Sequence, residues 1–184
     1  TKNKDSHIFY ECNLMGTLKF LSWTKLSGSK KFIFISGTGV NLNLEEDFIN
    51  PKLNHYHLSK GMGEMLCRLY HKQEHLNIVC LRISAPYGYA GKNLAVIPKF
   101  ISRTINNDNI ELWGRGTRSQ IFTFVEDIGL ACELAYHQNG LKETYHISGN
   151  EIISMTLLAS EVIKAFQPSK SRIIYLEKED PLEG

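Results

Sequence analysis

Long apolar runs are missing from this 184-residue chain. Its purely apolar stretches are a few residues each, against the roughly 18 to 20 that a membrane-spanning helix needs, and no secretory h-region opens it. A membrane or secreted protein is therefore not expected. Blocks of like charge are also missing: 21 Lys and Arg against 19 Asp and Glu leave a net +2, so charge marks no surface for nucleic acid. The four cysteines, Cys12, Cys67, Cys80 and Cys132, include no C-x-x-C pair. That argues against a zinc ribbon or redox dithiol and predicts reduced core thiols, as in a cytoplasmic protein. Low-complexity tracts and internal repeats are absent too, and with 42% hydrophobic residues the chain can bury one core.

What is present alternates. Residues 8–26 carry Ile8, Cys12, Leu14, Met15, Leu18 and Leu21 at helical spacing, closed by Gly28. Lys31 to Ser36 is a short apolar run rich in aromatic and β-branched residues, a strand covered on both faces, and it stops in the loop Ser36-Gly37-Thr38-Gly39. A helical stripe (Leu58, Met62, Met65, Leu66, Leu69) follows from Tyr56 to about His75, then a second buried strand from Asn77 to Ile83. Helix, strand, helix, strand with buried strands predicts parallel βαβ units, whose ligands bind beyond the strands' carboxyl ends, here at Ser36 and Ser84. Beyond a Gly/Pro/Tyr segment at Pro86–Gly91, helices are expected over 96–105, from Asp127 and after the N-cap candidate Ser154. Strands are expected near 110–113, 144–147 and 172–176, with an alternating run at Gln120–Val125.

Tyr56 and Lys60 stand four apart at the start of a helix, so phenol and ammonium share one face. A nearby cation stabilises a phenolate, which turns a phenol into a general base. In a chain with 8 tyrosines the spacing alone is weak; its context is not. Asn13-x-x-Gly16-Thr17, the strand Lys31–Ser36, and Tyr56-x-x-Ser59-Lys60 with Glu64 occur in order. They are followed by Leu81-Arg82 with Tyr87-Gly88, Gly114-x-Gly116, Phe122, Val125 with Asp127, and Tyr145-His-Ile-Ser-Gly149. Through nearly its whole length the sequence resembles the extended short-chain dehydrogenase/reductase family, the NAD-dependent epimerases and dehydratases of nucleotide sugars.

The resemblance implies an α/β fold: a partial, Rossmann-like, doubly wound parallel sheet over 1–88, with a small C-terminal substrate-binding subdomain over 89–184 interleaved with it. It implies NAD or NADP as cofactor, a nucleotide-sugar substrate, and a homodimer through the helices of N-x-x-G-T and Y-x-x-x-K. Tyr56 would take a proton from a sugar hydroxyl, giving a transient keto sugar, and Lys60 would hold the nicotinamide ribose. Asn13, Ser36 and Ile83 would lie with them at the cofactor. Epimerisation, dehydration and decarboxylation all remain open.

Departures from the pattern are concentrated at two places. Gly37 stands where the catalytic Ser or Thr is usual, so Thr38 or Ser36 would have to supply that hydroxyl; Asn41 replaces a common Tyr. On the substrate side Ala85 stands where many members have Asn, and Gln120 where a diphosphate-binding Arg is common, with Arg118 two residues earlier as a bidentate substitute. Glu45-Glu46-Asp47 is expected as a solvated loop, and His55 and His57 have no third ligand at metal spacing, so no metal is expected. Trp23 and Trp113 are expected to pack rather than to stack on ligands. The family's G-x-x-G-x-x-G turn is absent. The expectation is a fragment truncated at both ends, inactive and poor at binding NAD by itself, with an exposed sheet edge. The alternative is a non-catalytic member that binds a nucleotide or a partner.

Overall fold

A computed structural model describes residues 6–40, 54–89, 95–138 and 144–180. Asn41 and the acidic triplet at 45–47 lie outside these residues. The chain divides into two compact units, one of residues 1–84 with 127–147 and one of residues 85–126 with 148–184. Residues 127–147 thus belong to the first unit, between two segments of the second.

The first unit opens with α1 (Ser6–Tyr10), a π-helical segment (Glu11–Gly16) and α2 (Thr17–Ser27). The periodic stripe anticipated as one helix is therefore interrupted by a wide turn, and such π segments recur at functional sites. Here Thr17 Oγ1 donates to the Asn13 carbonyl at 2.7 Å within that stretch. Gly28, at φ 65°, ends α2 in the left-handed conformation that glycine adopts without steric cost. Next come β1 (Phe32–Gly37), α3 (His55–Glu74) and β2 (Ile78–Ile83). The Asn54 side chain accepts from His57 N at 3.0 Å and so caps α3.

Among the described residues β1, β2 and β7 (Thr144–Ile147) form a parallel sheet in that order, with Phe32 opposite Ile78 and Gly37 opposite Ile83. The continuous apolar run of β2 is explained by its two covered faces. Ile78 and Cys80 pack with Phe34, Leu21 and Cys67 of the α2/α3 side. Val79, Leu81 and Ile83 pack with Ala135, Ile128 and Ala131 of α5 (Val125–His137). Lys31 fastens β1 to the end of α5, its ammonium donating to the carbonyls of Ala135, Tyr136 and Gln138 at 2.6, 3.0 and 2.5 Å. A cation there meets the negative end of the helix dipole.

The second unit holds β3 (Pro86–Tyr87), α4 (Val96–Ile105), β4 (Ile110–Trp113), β5 (Ser119–Ile121), β6 (Thr123–Phe124), β8 (Ile152–Ser154), α6 (Met155–Ala165) and β9 (Ile173–Leu176). Its core gathers Phe100, Ile110, Leu112, Met155, Leu158 and Val162. The alternating run at 120–125 is not one strand: β5 pairs antiparallel with β8, whereas β6 pairs parallel with β3. Ser154 caps α6, accepting from Leu157 N at 3.1 Å.

Two packing expectations fail. Trp23 and Trp113 are 60% and 48% exposed, because Trp23 lies on the outer face of α2 and Trp113 at a cleft edge. All four cysteines are free and Cys67 and Cys80 are buried, but Cys12 is exposed. A hydrogen bond to Cys80, together with burial, pushes the Cys67 thiol up.

Candidate active site

The end of β1 and the first turns of α3 bring together most of the residues singled out in the first unit. A Cβ placed on Gly37 would lie 4.0 Å from Tyr56 Oη, and nothing nearer meets it. The tyrosine hydroxyl thus looks onto a position that lacks a side chain. Gly37 is not at positive φ, so its backbone would accept a serine. Phe9 of α1 braces the Tyr56 ring edge-on, with centroids 5.8 Å apart.

Lys60 lies one turn along. Its Nζ donates to the Ile35 carbonyl at 2.9 Å and sits 5.2 Å from the centre of the Phe34 ring. Burial pushes this ammonium below its ordinary value. Asn13 Nδ2 donates to Ser59 Oγ at 3.0 Å, and Ser59 Oγ donates to the Tyr56 carbonyl at 2.9 Å. The π segment is thereby tied to the turn that carries Tyr56, through a serine that is wholly buried. Below it Glu64, 2% exposed, receives Arg82 Nε at 2.9 Å and Nη2 at 2.7 Å. This two-pronged pair fixes α3 on β2, and Glu64 holds the Arg82 guanidinium above its ordinary value.

The other hydroxyls fall elsewhere. Ser36 Oγ is buried without a hydrogen-bond partner among the described residues, and by the two-residue period of a strand it shares the face of Phe34 rather than that of Gly37. Thr38 is exposed, and its N–H donates to the Ile83 carbonyl at 3.2 Å, which ties the ends of β1 and β2. The sequence named Ser59 within its motif without a role, and weighed His57 only as a metal ligand; the structure puts Ser59 between Asn13 and Tyr56. A Cβ on Gly39 would come within 2.6 Å of His57 Nε2.

In the second unit, Ala85, Gln120 and Arg118 line one cleft of about 390 Å³ with Tyr87 and Phe122. Arg118 also lines a neighbouring cleft of about 310 Å³ with Trp113, Lys99 and Glu111. Its guanidinium is loosely held, 3.8 Å from an Asp180 oxygen and 3.8 Å from Met155 Sδ. Gln120 is fixed opposite Ile153 in the β5/β8 pair.

Against known proteins, the model of the NAD dependent epimerase/dehydratase family matches residues 1–148. The dTDP-D-glucose 4,6-dehydratase of Dictyostelium discoideum is 28% identical over 176 residues, 87% of this chain and 41% of that protein. The UDP-glucuronate 4-epimerase of Thermodesulfobacterium geofontis is 29% identical over 126 residues, 66% of this chain and 39% of that protein. Among solved structures, UDP-glucuronic acid 4-epimerase from Bacillus cereus in complex with NAD superposes with a TM-score of 0.80 at 28% identity, covering 97% of this chain and 60% of that one. The chain thus spans about half the length of the relatives it matches. Its first unit has the parallel sheet of these Rossmann-type enzymes, and the chain belongs to the NAD dependent epimerase/dehydratase family.

Proposed function

We propose that this chain carries the proton-transfer pair and part of the substrate cleft of an NAD- or NADP-dependent nucleotide-sugar epimerase or dehydratase. The observation that carries this reading is the Tyr56 hydroxyl facing the end of a parallel strand, with the Lys60 ammonium anchored one turn away on that same strand. Tyr56 is the general base: it takes the proton of a sugar hydroxyl as the carbinol carbon is oxidised to a transient ketone. A bound nicotinamide supplies the hydride chemistry.

The residues present fit the nicotinamide-ribose end of that cofactor. Lys60 spends one of its three donors on Ile35 among the described residues, and next to Ile35 the Ser36 hydroxyl is buried and unpartnered. Asn13 supports the Tyr56 turn through Ser59, and Ile83 holds the Thr38 loop. Arg118 and Gln120, with Ala85 beside them, receive the diphosphate and sugar of a dTDP- or UDP-sugar, the kind of substrate named for the relatives. Arg118 acts as the phosphate fork. A homodimer is proposed through the outer faces of α2 and α3, where Phe20, Trp23, Leu26, Met65 and Leu69 are exposed. Among the described residues no helix is long and apolar enough to cross a membrane; a cytoplasmic location is proposed from the free thiols.

A second reading, a nucleotide-sugar binder without turnover, draws on Gly37, which offers Tyr56 no hydroxyl to share a proton with. The test is incubation of the full-length protein with NAD or NADP and, in turn, dTDP-glucose and UDP-glucuronate, with NMR of the sugar products. Epimerised or 4-keto product supports the enzyme. Saturable binding of either sugar without product supports the second reading.

A further inference from the structure

In the second unit, the cleft of about 310 Å³ is lined by two cations and two carboxylates, Lys99 and Arg118 with Glu111 and Asp180. Their pairing leaves one cation over. Glu111 is taken from outside: Arg103, one turn on from Lys99 along α4, holds Glu111 Oε1 at 3.2 Å through Nη1, which also donates to the Asn109 carbonyl at 2.6 Å. Asp180 faces Arg118 across 3.8 Å. Lys99 is exposed, and its ammonium has no hydrogen bond or ion pair among the described residues. A free ammonium carries three donors and a full positive charge into the cleft.

Arg118 is mounted so that its head alone can adjust. Its carbonyl accepts from Met155 N at 2.9 Å, and two residues earlier the Gly116 carbonyl accepts from Thr156 N and Thr156 Oγ1, both at 3.2 Å. The backbone of the 116–118 loop is thus fixed on the start of α6. Val96 and Arg118 are the two residues that this cleft shares with the one of about 390 Å³. Arg118 therefore stands at the junction of the clefts and Lys99 inside the smaller one, over a floor of Phe100, Leu112 and Met155. Two linked phosphoryl groups suit this arrangement: an arginine fork takes one, and a lysine point charge takes its neighbour.

Resting on the function proposed above, we propose that Lys99 is a substrate-binding residue, the second cation for the diphosphate of the nucleotide sugar. Arg118 holds the phosphoryl group at the junction, and Lys99 holds the adjoining one inside the smaller cleft. The pull of Asp180 on Arg118 is weak at 3.8 Å, so an arriving phosphate competes for the guanidinium with little to displace. Lys99 meets the ligand with no protein partner to give up among the described residues.

The test is calorimetric titration of the full-length protein with UDP and with dTDP, in wild type, Lys99→Met, Lys99→Arg and Lys164→Met, with circular dichroism of each. Lys164 of α6 is 77% exposed at the side chain and is not among the residues of the cleft, so its variant reports the loss of one positive charge elsewhere in the same unit. Wild type should bind at least one of the two nucleotides saturably. Lys99→Met should raise that Kd roughly tenfold or more, as expected for a charge-assisted contact, and the rise should shrink as salt increases. Lys99→Arg should stay within about threefold of wild type and Lys164→Met within about twofold. A Lys99→Met Kd within about twofold of wild type, an equal rise in Lys164→Met, or a changed circular dichroism in Lys99→Met overturns the role of Lys99 and leaves the parent reading in place. A wild type that binds neither nucleotide sinks the parent reading and this proposal with it.

Discussion

The two units hold their polar groups in opposite ways. Around Tyr56 three polar side chains are tied to other elements: Asn13 to Ser59, Lys60 to the β1 backbone, Glu64 to Arg82. Around Arg118 the ties are long, 3.8 Å to Asp180, and the guanidinium opens on two clefts. A proton-transfer group loses effectiveness when misplaced by an ångström, whereas a phosphate fork can close on its ligand. The contrast suits a rigid chemical site in one unit and an adjustable recognition site in the other.

The largest effect that would break this contrast is expected from Lys60→Met, which removes the cation beside Tyr56 and should lower kcat of the full-length protein roughly 10²-fold or more with the fold retained. Steady-state kinetics with circular dichroism checks it. Next comes Glu64→Gln. Its partner Arg82, 12% exposed at the side chain, would keep a charge without a counter-ion, and removing one member of such a pair costs about 3 kcal/mol or more. Urea denaturation should show that loss. Arg118→Ala should spare stability and instead raise KM for the nucleotide sugar, by roughly tenfold or more for about 1.5 to 3 kcal/mol of charge-assisted hydrogen bonding. The increase should shrink as salt rises. The smallest effect is expected from Asn13→Ala, about 1 kcal/mol from the lost bond to Ser59, read as a lower thermal midpoint.

His57 supplies a pH-dependent companion to these. Its imidazole is lowered in the folded state, so the unfolded chain binds the proton first as pH falls. Its contribution to stability is complete above about 6.5 and is lost as pH drops through the folded value. Denaturation midpoints of His57→Gln should therefore fall less steeply between pH 7 and 5 than those of the wild type.

How far the sequence could be read follows from where local signals carry enough information. The strands β1 and β2 were legible because burial on both faces leaves an unbroken apolar run, and α3 because a stripe and an N-cap agree. The π segment at Glu11–Gly16 was not legible, since one extra residue in a turn hardly disturbs the apolar stripe. The split of residues 120–125 into β5 and β6 was hidden as well, because the alternation of one strand is the same whichever partners its two halves choose. Tyr56 and Lys60 stood out by their spacing, and Asn13 by the family resemblance that the ordered motifs carry. Their connection through Ser59 did not, for a buried serine between two helices leaves no periodic trace.

The central claim is that Tyr56 moves the substrate proton, and the most direct measurement is the turnover of Tyr56→Phe in the full-length protein, with nucleotide-sugar affinity followed in the same samples. The account predicts a kcat at least 10²-fold below wild type with Kd and circular dichroism unchanged. A kcat within a few-fold of wild type would contradict it.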